Sequence, residues 1–168
     1  AIVLLALSPK RINKHHMPTR ILGLSLTTIM TISNTASAAL LIGFLINGDA
    51  KDPNHLLLSG ASIWLTNIII FSLWFWDLDR GRPGARAEAK NQHPDFIFPQ
   101  MSDPGYAPEH WHPNFFDYLY TSFTNASAFS PTDVMPLTRW AKMFVMVQSL
   151  TSLLTVGLVV ARAVSTLH

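Results

Sequence analysis

The fold is decided by residues 120–136, YTSFTNASAFSPTDVMP, a polar and proline-broken stretch directly before the last apolar run of the chain. Its first half is rich in hydroxyl and amide side chains, and a Ser-Pro-Thr-Asp segment follows at residues 130–133. Apolar residues flank the stretch on both sides. A polar loop in this position raises the question of what it does beside a run of membrane-spanning length.

The composition indicates an integral membrane protein. Hydrophobic residues make up 49% of the 168 residues and charged residues only 13%, about half of the usual charged share in soluble domains. Residues 21–46, 56–76 and 143–161 carry no charge, and a helix of roughly 20 apolar residues crosses the hydrocarbon core. Buried helices of soluble proteins are rarely charge-free over such lengths. We therefore expect an all-α, multi-pass helical bundle in a cell membrane.

The chain divides into four segments. Residues 1–9 are apolar but too short to span, and we interpret them as the end of a truncated helix, with a cleaved signal remnant as the alternative. Residues 21–79 predict a transmembrane helical hairpin and residues 80–113 a proline-rich irregular loop. Residues 114–168 predict a short helix, a loop and a last transmembrane helix. The absence of cysteine excludes disulfides.

The basic residues lie beside the predicted spans. Residues 10–20 contain four of them and residues 80–90 four more, which favours lipid headgroups over nucleic acid as the partner. The positive-inside rule places both clusters in the cytoplasm. The polar loop would then enter the membrane from the cytoplasmic side, and entry from outside is the alternative.

The first predicted span contains a row of small residues at four-residue spacing. Its members are Gly23, Thr27, Thr31, Thr35, Ala39 and Gly43. Such a row predicts close packing against another helix, with a polar conduit as the alternative. Asn67 lies in the middle of the second span, where we expect its amide to bond a neighbouring helix.

The short helix predicted at residues 114–124 would be about 16–18 Å long, half of a membrane crossing. Asn114 or Asp117 is expected to cap its start, and the last helix to run from Leu137 or Arg139 to about Val164. Non-helical backbone at membrane depth is tolerated only where protein shields it or where it lines water. The polar loop therefore predicts a cavity; an interfacial turn outside the bilayer is the alternative.

This plan resembles the pore domain of tetrameric potassium-type channels over roughly residues 115–165. The positions that frame a selectivity filter in that family are occupied by Tyr120, Ser122, Asp133, Pro136, Thr138 and Lys142. The filter positions themselves are taken by Ala128, Phe129, Ser130, Pro131 and Thr132. The resemblance implies a re-entrant pore helix, a homotetramer and small ions as partners. Most of the chain is also similar to a family of uncharacterised multi-pass bacterial membrane proteins, which brings no established activity.

The departures from the potassium filter indicate a different selectivity. That filter stacks backbone carbonyls around the ion, and its glycines adopt left-handed angles that cost other residues about 1–2 kcal/mol. Ser130 and Thr132 replace those glycines, and Pro131 fixes its own φ and lacks an N–H. We therefore expect a wider mouth that is not selective for potassium, ringed by the hydroxyls of Ser127, Ser130 and Thr132. Asp133 would form a cation-favouring ring or, equally, hold the amides of its own loop.

The last helix carries a narrow polar stripe among aliphatic residues. Gln148, Ser152 and Thr155 recur at one face, and we expect them to line the pore as its inner helix. A helix–helix hydrogen-bond seam is the equal alternative.

These patterns predict a channel-like membrane protein, and the alternative is a non-conducting scaffold or binding protein that retains the pore-loop fold. A third hypothesis, weighed least, is a membrane enzyme or metal protein. It would use His93, Asp95, Glu109, His110 and His112. This cluster lacks a recognisable metal-ligand spacing, so we expect surface histidines, no catalytic residues, no metal and no cofactor.

Overall fold

The computed structural model describes residues 17–47, 52–81, 86, 93–106, 108, 111–127 and 133–165. Its helices, in chain order, are α1 (Met17–Asn47), α2 (Pro53–Leu78), α3 (Pro99–Ser102), α4 (Phe115–Ser127) and α5 (Arg139–Ser165). Short 3-10 turns lie at Asp79–Gly81 and Pro104–Tyr106, and two-residue strands β1 and β2 at Phe96–Ile97 and Met135–Pro136.

Three helices are long and apolar enough to cross a membrane. The spans run over Ile21–Asn47, Asn54–Gly81 and Arg139–Arg162, close to the three charge-free stretches of the sequence. The prediction of a mostly helical chain with three helices of membrane-spanning length is thus confirmed. The short α4 also forms where the sequence predicts it, and it continues three residues beyond Thr124.

Local chemistry sets both ends of α2. At its start the Asp52 carboxylate accepts a hydrogen bond from the Asn54 amide at 2.9 Å, and Pro53 follows the cap. An aspartate cap is favoured at a helix start because its carboxylate accepts from an amide that lacks a partner within the helix. Proline is favoured directly after the cap because it has no amide hydrogen that needs a partner there. At its end Arg80 and Gly81 adopt positive φ angles of 52° and 83°. The backbone turns left-handed at these two residues and the helix stops.

Helix α2 is the central element and contacts α1, α4 and α5. Where α1 and α2 approach the turn that joins them, a cluster of aliphatic residues also includes Val159 of α5. At the opposite end of α2, a second and more aromatic cluster contains Phe75, Phe96, Phe98 and Tyr118. The proline-rich loop therefore supplies core residues, as its mixture of aromatic residues and prolines suggests.

The loop is also tied to the segment before α5 by a small antiparallel ladder. Phe96 pairs with Pro136 and Ile97 with Met135, and the Leu137 amide donates to the Asp95 carbonyl at 2.8 Å. The sequence does not predict these strands. Two residues are too few to show the alternation by which a strand is recognised.

Most of the small-residue row of α1 does not pack inside this chain; the exception is Thr31, which accepts from Trp74 Nε1 of α2 at 3.0 Å. The buried positions are Asn34, Ala38, Leu41 and Leu45, whereas Thr35 and Ala39 are exposed. A four-residue step turns about 400° around a helix of 3.6 residues per turn, so each step drifts by about 40°. Six such positions wrap around the helix instead of following one seam.

Gly60 of α2 packs directly against the Val159 side chain of α5. A Cβ placed on Gly60 would meet Cγ2 of Val159 at 2.8 Å and its Cγ1 at 3.1 Å. Valine has one strongly preferred rotamer in a helix and cannot easily turn away. At Gly43 on α1, by contrast, a Cβ would find no atom within 4 Å.

We therefore expect Gly60→Ala to destabilise the protein by about 1–3 kcal/mol through overpacking, whereas Gly43→Ala raises stability because alanine is the better helix former. Thermal unfolding of the detergent-solubilised variants measures both changes. Val159→Ala should rescue Gly60→Ala. Equal stabilities of the two glycine variants would contradict the close approach.

Candidate functional site

The start of α4 is fixed by a reciprocal pair of side chains. The Asn114 side-chain oxygen accepts from the Phe116 amide at 2.8 Å, and the Asp117 carboxylate accepts from the Asn114 amide at 2.7 Å. This is the geometry of a capping box, which satisfies amides that the first turn of a helix leaves without partners. Both predicted capping residues are thus used together.

From this start, α4 runs along α2 from its end to its middle. Four contacts mark the path: the rings of Phe115 and Trp76 (6.1 Å), Tyr118 Oη and Asp79 Oδ2 (2.5 Å), Ser122 Oγ and the Ile68 carbonyl (2.7 Å), and Trp64 Nε1 and the Ala126 carbonyl (3.3 Å). Trp64 lies about halfway along α2. The last turn of α4 is therefore level with the centre of a predicted span.

The Ala126 carbonyl of α4 is bonded to both α2 and α5. It belongs to the last turn of α4, whose carbonyls have no partner within the helix. Trp64 of α2 donates to it at 3.3 Å, and the Ser152 hydroxyl at the midpoint of α5 donates at 2.6 Å. Two side-chain donors thus satisfy a backbone acceptor at the middle of two helices of membrane-spanning length.

Gln148 of α5 is the centre of the polar seam beside this point. Its Nε2 donates to the Ser122 carbonyl at 2.9 Å and to the Ser122 hydroxyl oxygen at 2.6 Å. Its Oε1 accepts from Asn125 at 2.8 Å, and the same Asn125 side chain accepts from the Ser149 hydroxyl at 2.8 Å. Asn67 of α2 donates to the Gln148 carbonyl at 3.4 Å, as expected for a buried amide.

The predicted pore-lining residues are buried. Gln148, Ser152 and Thr155 are 0%, 1% and 1% exposed. Assembly with further chains only removes accessible surface, so these side chains do not face water in this conformation. Gln148 and Ser152 form a hydrogen-bond seam with α4, the second of the two alternatives, whereas the Thr155 hydroxyl donates to the Thr151 carbonyl of its own helix at 2.8 Å. The three residues would line a pore only if α5 turned away from α4.

The outward side of α5 is aliphatic. Met146 is 65% exposed and Leu153 59% exposed, and Val160 lies on the same open surface. The polar residues therefore face inward and the apolar residues outward, the distribution expected where lipid or another apolar surface surrounds a helix.

At the opposite end, Asp95 joins the loop to the start of α5. One carboxylate oxygen accepts from Trp140 Nε1 at 2.8 Å, and the other accepts from the Arg80 amide at 2.7 Å. The Asp95 amide donates to Asp79 Oδ1 at 2.9 Å. The metal hypothesis had included Asp95, but its described contacts are those of a structural anchor.

Asp79 is a fully buried acid near the end of α2. Besides the bonds to Tyr118 and Asp95, the Arg80 side chain lies 3.9 Å from its carboxylate, and Arg86 donates to its carbonyl at 2.7 Å. The Arg86 guanidinium also stacks over the Tyr118 ring at 5.3 Å. Burial lowers the pKa of Arg86, and the nearby Tyr118 and Asp79 partly offset this effect. The buried carboxylate of Asp79 needs partners of this kind, because an unpaired buried charge costs free energy.

Sequence reasoning missed this anchor because Asp79 reads as part of a charged helix end. The signal that could have found it is the acid that directly precedes two aromatic residues, Asp95 in the segment PDFIFP at residues 94–99. Among the described residues, no group of three acidic or histidine side chains is placed to hold a metal ion. The described histidines of the third hypothesis, His93 and His112, are exposed, and Glu109 and His110 lie outside the described residues.

Only the two ends of the filter-like loop are described. Ser127 closes α4, and its hydroxyl donates to the Phe123 carbonyl at 2.8 Å. Asp133 is exposed at the point where the chain approaches β2. Ala128, Phe129, Ser130, Pro131 and Thr132 lie outside the described residues, so their predicted role stays a prediction.

Comparison of the chain with known protein families, characterised proteins and solved structures finds no match.

The two hydrogen bonds to the Ala126 carbonyl can be tested with a double-mutant cycle. Ser152→Ala and Trp64→Phe each leave one donor, whereas the double variant leaves a buried acceptor unsatisfied, at a cost of about 1–3 kcal/mol. We expect the double variant to lose more stability in thermal unfolding than the two single variants summed.

Ser62→Ala is the control, because the exposed Ser62 hydroxyl bonds only to Leu58 of its own helix among the described residues. It should leave the unfolding temperature nearly unchanged. Strict additivity in the cycle would show that Trp64 and Ser152 do not share the carbonyl.

Proposed function

We propose that this chain is a channel-like membrane protein in which α4 is a re-entrant pore helix. The observation that supports this most directly is the position of the Ala126 carbonyl. Trp64 and Ser152, which donate to it, lie at the middles of α2 and α5. A helix that ends at that level has gone about half of the way through the membrane.

The connection from the end of α4 to the start of α5 supports the same proposal. Ser127 is level with the middle of α5, whereas Pro136 and Leu137 are held at the start of α5 by β1 and Asp95. From Arg139 to Ser152 a helix rises about 20 Å, and the chain between Ser127 and Leu137 has to cover a similar height. Non-helical backbone at such depth is tolerated only in a protein-shielded or water-lined setting.

We propose that several copies, four by the resemblance, surround an axis at which residues 128–132 meet. In this arrangement Ser127, Ser130 and Thr132 contribute hydroxyls, and Asp133 contributes negative charge that favours cations. Small ions are the proposed cargo and a bacterial inner membrane the proposed location. The replaced glycines argue against potassium selectivity.

The alternative is a non-conducting scaffold that retains the pore-loop fold. The observation that favours it is the burial of Gln148, Ser152 and Thr155, which leaves an aliphatic outward surface on α5. Such a surface offers no polar lining below the loop.

Flux assays on reconstituted vesicles separate the two functions. We expect the purified protein to release Na⁺ and K⁺ at similar rates, and Asp133→Asn to lower cation flux several-fold because the negative ring is lost. Asp103→Asn, a change in an exposed acid of the loop, should leave the flux unchanged. Folded assemblies that pass no small ion would contradict the channel and select the scaffold.

We also propose that α4 enters the membrane from the cytoplasmic side. Arg80, Arg139 and Lys142 lie at the end of the bundle where α4 begins, and among the described residues only Arg162 is a basic residue of the opposite end. The positive-inside rule places the richer end in the cytoplasm.

Single cysteines test this orientation cleanly because the chain has no cysteine of its own. In intact cells, a membrane-impermeant maleimide should label Asn54→Cys, at the start of α2, and should reach Ser102→Cys, in the loop, only after permeabilisation. Both positions are exposed. The reverse labelling pattern would establish the opposite orientation.

A further inference from the structure

Residues 95–98 of the proline-rich loop lie between α4 and α5 at the end of the bundle where α2 ends, and we call them the wedge. The ring of Phe96 contacts Tyr118 of α4 at 6.4 Å and Trp140 of α5 at 5.8 Å between ring centroids. Phe96 and Phe98 are 0% and 2% exposed. At the other end of α4, by contrast, the two helices bond to each other directly. The separation of α4 and α5 at the wedge is therefore set by side chains of a third segment.

Asp95 is the residue that fixes the wedge in place. Its amide donates to Asp79 Oδ1 at 2.9 Å, and its carbonyl accepts from the Leu137 amide at 2.8 Å. One oxygen of its carboxylate accepts from the Arg80 amide at 2.7 Å and the other from Trp140 Nε1 at 2.8 Å. The backbone and side chain of Asp95 thus join the end of α2 to the start of α5 and to the segment before it.

The chain around Asp133 is held by the same wedge. Val134, the next residue, is 3% exposed and belongs to the same buried cluster as Phe96. The strand β2 that follows pairs with β1 of the wedge. Consecutive Cα atoms are about 3.8 Å apart, so Asp133 lies only one residue away from a position buried against the wedge. Movement of the wedge would therefore move Asp133.

The start of α4 is tied to the wedge through Asp79. Its Oδ2 accepts from the Tyr118 hydroxyl at 2.5 Å, while its Oδ1 accepts from the Asp95 amide. One buried carboxylate thus holds α4 with one oxygen and the wedge with the other. The two described segments that flank residues 128–132 are in this way tied to one point, the end of α2.

We propose that Asp95 is a positioning residue, which sets the place of Asp133 relative to α4 and thereby the cation preference of the proposed pore. The energy between a carboxylate and an ion falls with their distance, so a displaced or less ordered Asp133 attracts cations less. The effect on ions rests on the proposed function, whereas the effect on the position of Asp133 does not.

Two tryptophans of the chain give a matched pair of variants. Trp140→Phe removes the indole N–H that donates to Asp95, and it changes no charge. Trp74→Phe is the control, because Trp74 donates instead to Thr31 Oγ1 at 3.0 Å, between α2 and α1. Both indoles contact the ring of Phe144 at 5.8 Å. The two substitutions therefore remove the same chemical groups, but only Trp140→Phe removes a hydrogen bond to the wedge.

The position of Asp133 can be measured without any ion flux. The chain has no cysteine of its own, and spin labels on Leu58→Cys and Asp133→Cys, both exposed sites, report their distance by pulsed electron spin resonance. Labelled chains are diluted with unlabelled ones, so that only distances within one chain are read. Loss of a hydrogen bond to a carboxylate should raise the displaced population about ten-fold or more. Trp140→Phe and Asp95→Asn should thus broaden and shift the distance distribution, and Trp74→Phe should leave it unchanged.

Flux assays then test the cation preference, with Asp133 intact and with K⁺ and Cl⁻ as the probe ions. We expect the ratio of K⁺ flux to Cl⁻ flux to fall several-fold in Trp140→Phe and in Asp95→Asn because the carboxylate of Asp133 is displaced. Since Trp140→Phe removes no charge, its effect reports position alone. Trp74→Phe should keep the wild-type ratio, and a melting curve for each variant shows that it is folded.

Unchanged distances in folded Trp140→Phe and Asp95→Asn would overturn the proposal, as would an equal broadening in Trp74→Phe. Broadened distances with an unchanged flux ratio would overturn the role in cation preference. If wild-type protein passes no ion, the proposed function fails, and the distances still decide whether Asp95 positions Asp133.

Discussion

The architecture depends on satisfying the backbone of a helix that ends inside an apolar interior. Helix α4 ends at Ser127, and the carbonyls of its last turn have no partner within the helix. The donors come from Trp64 on one side and Ser152 on the other, while Gln148 supplies the Ser122 carbonyl one turn earlier. The polar residues of α5 are therefore placed by the needs of α4.

This requirement explains why α5 is polar inside and aliphatic outside. A side chain such as Gln148 costs free energy in lipid unless its amide is fully bonded, and here both its donor and its acceptor are used. The outward residues face no such demand and are free to contact lipid or another copy. The same helix thus meets two different surroundings without any charged residue between Lys142 and Arg162.

Much of the fold was predictable from the sequence. The three spans follow from charge-free length alone, and α4 follows from a short amphipathic run with Asn114 and Asp117 as its cap. The contacts between distant segments were not predictable. Asp95 anchors Trp140 across 45 positions, and β1 meets β2 through pairs of residues too few to leave a pattern.

The residues of the candidate site were predicted from the sequence, but their structural role was not. Gln148, Ser152 and Thr155 were correctly identified as a polar stripe, but polarity alone does not tell a water-facing surface from a hydrogen-bonded seam. The position of α4 decides between the two possibilities, because the face of α5 that α4 covers is withdrawn from water. How much of that face is covered depends on how far α4 extends along α5. Only part of the small-residue row of α1 meets α2, at Thr31, because its four-residue spacing drifts around the helix.

The pairing of the Ala126 carbonyl also has a consequence for biogenesis. Its donors lie 62 positions before it and 26 positions after it. When α4 leaves the ribosome, Trp64 has already been made but Ser152 has not, so the acceptor can be completed only after the first half of α5 has been synthesised. In the proposed re-entrant arrangement, insertion of α4 to its full depth would therefore wait for the last helix of the chain.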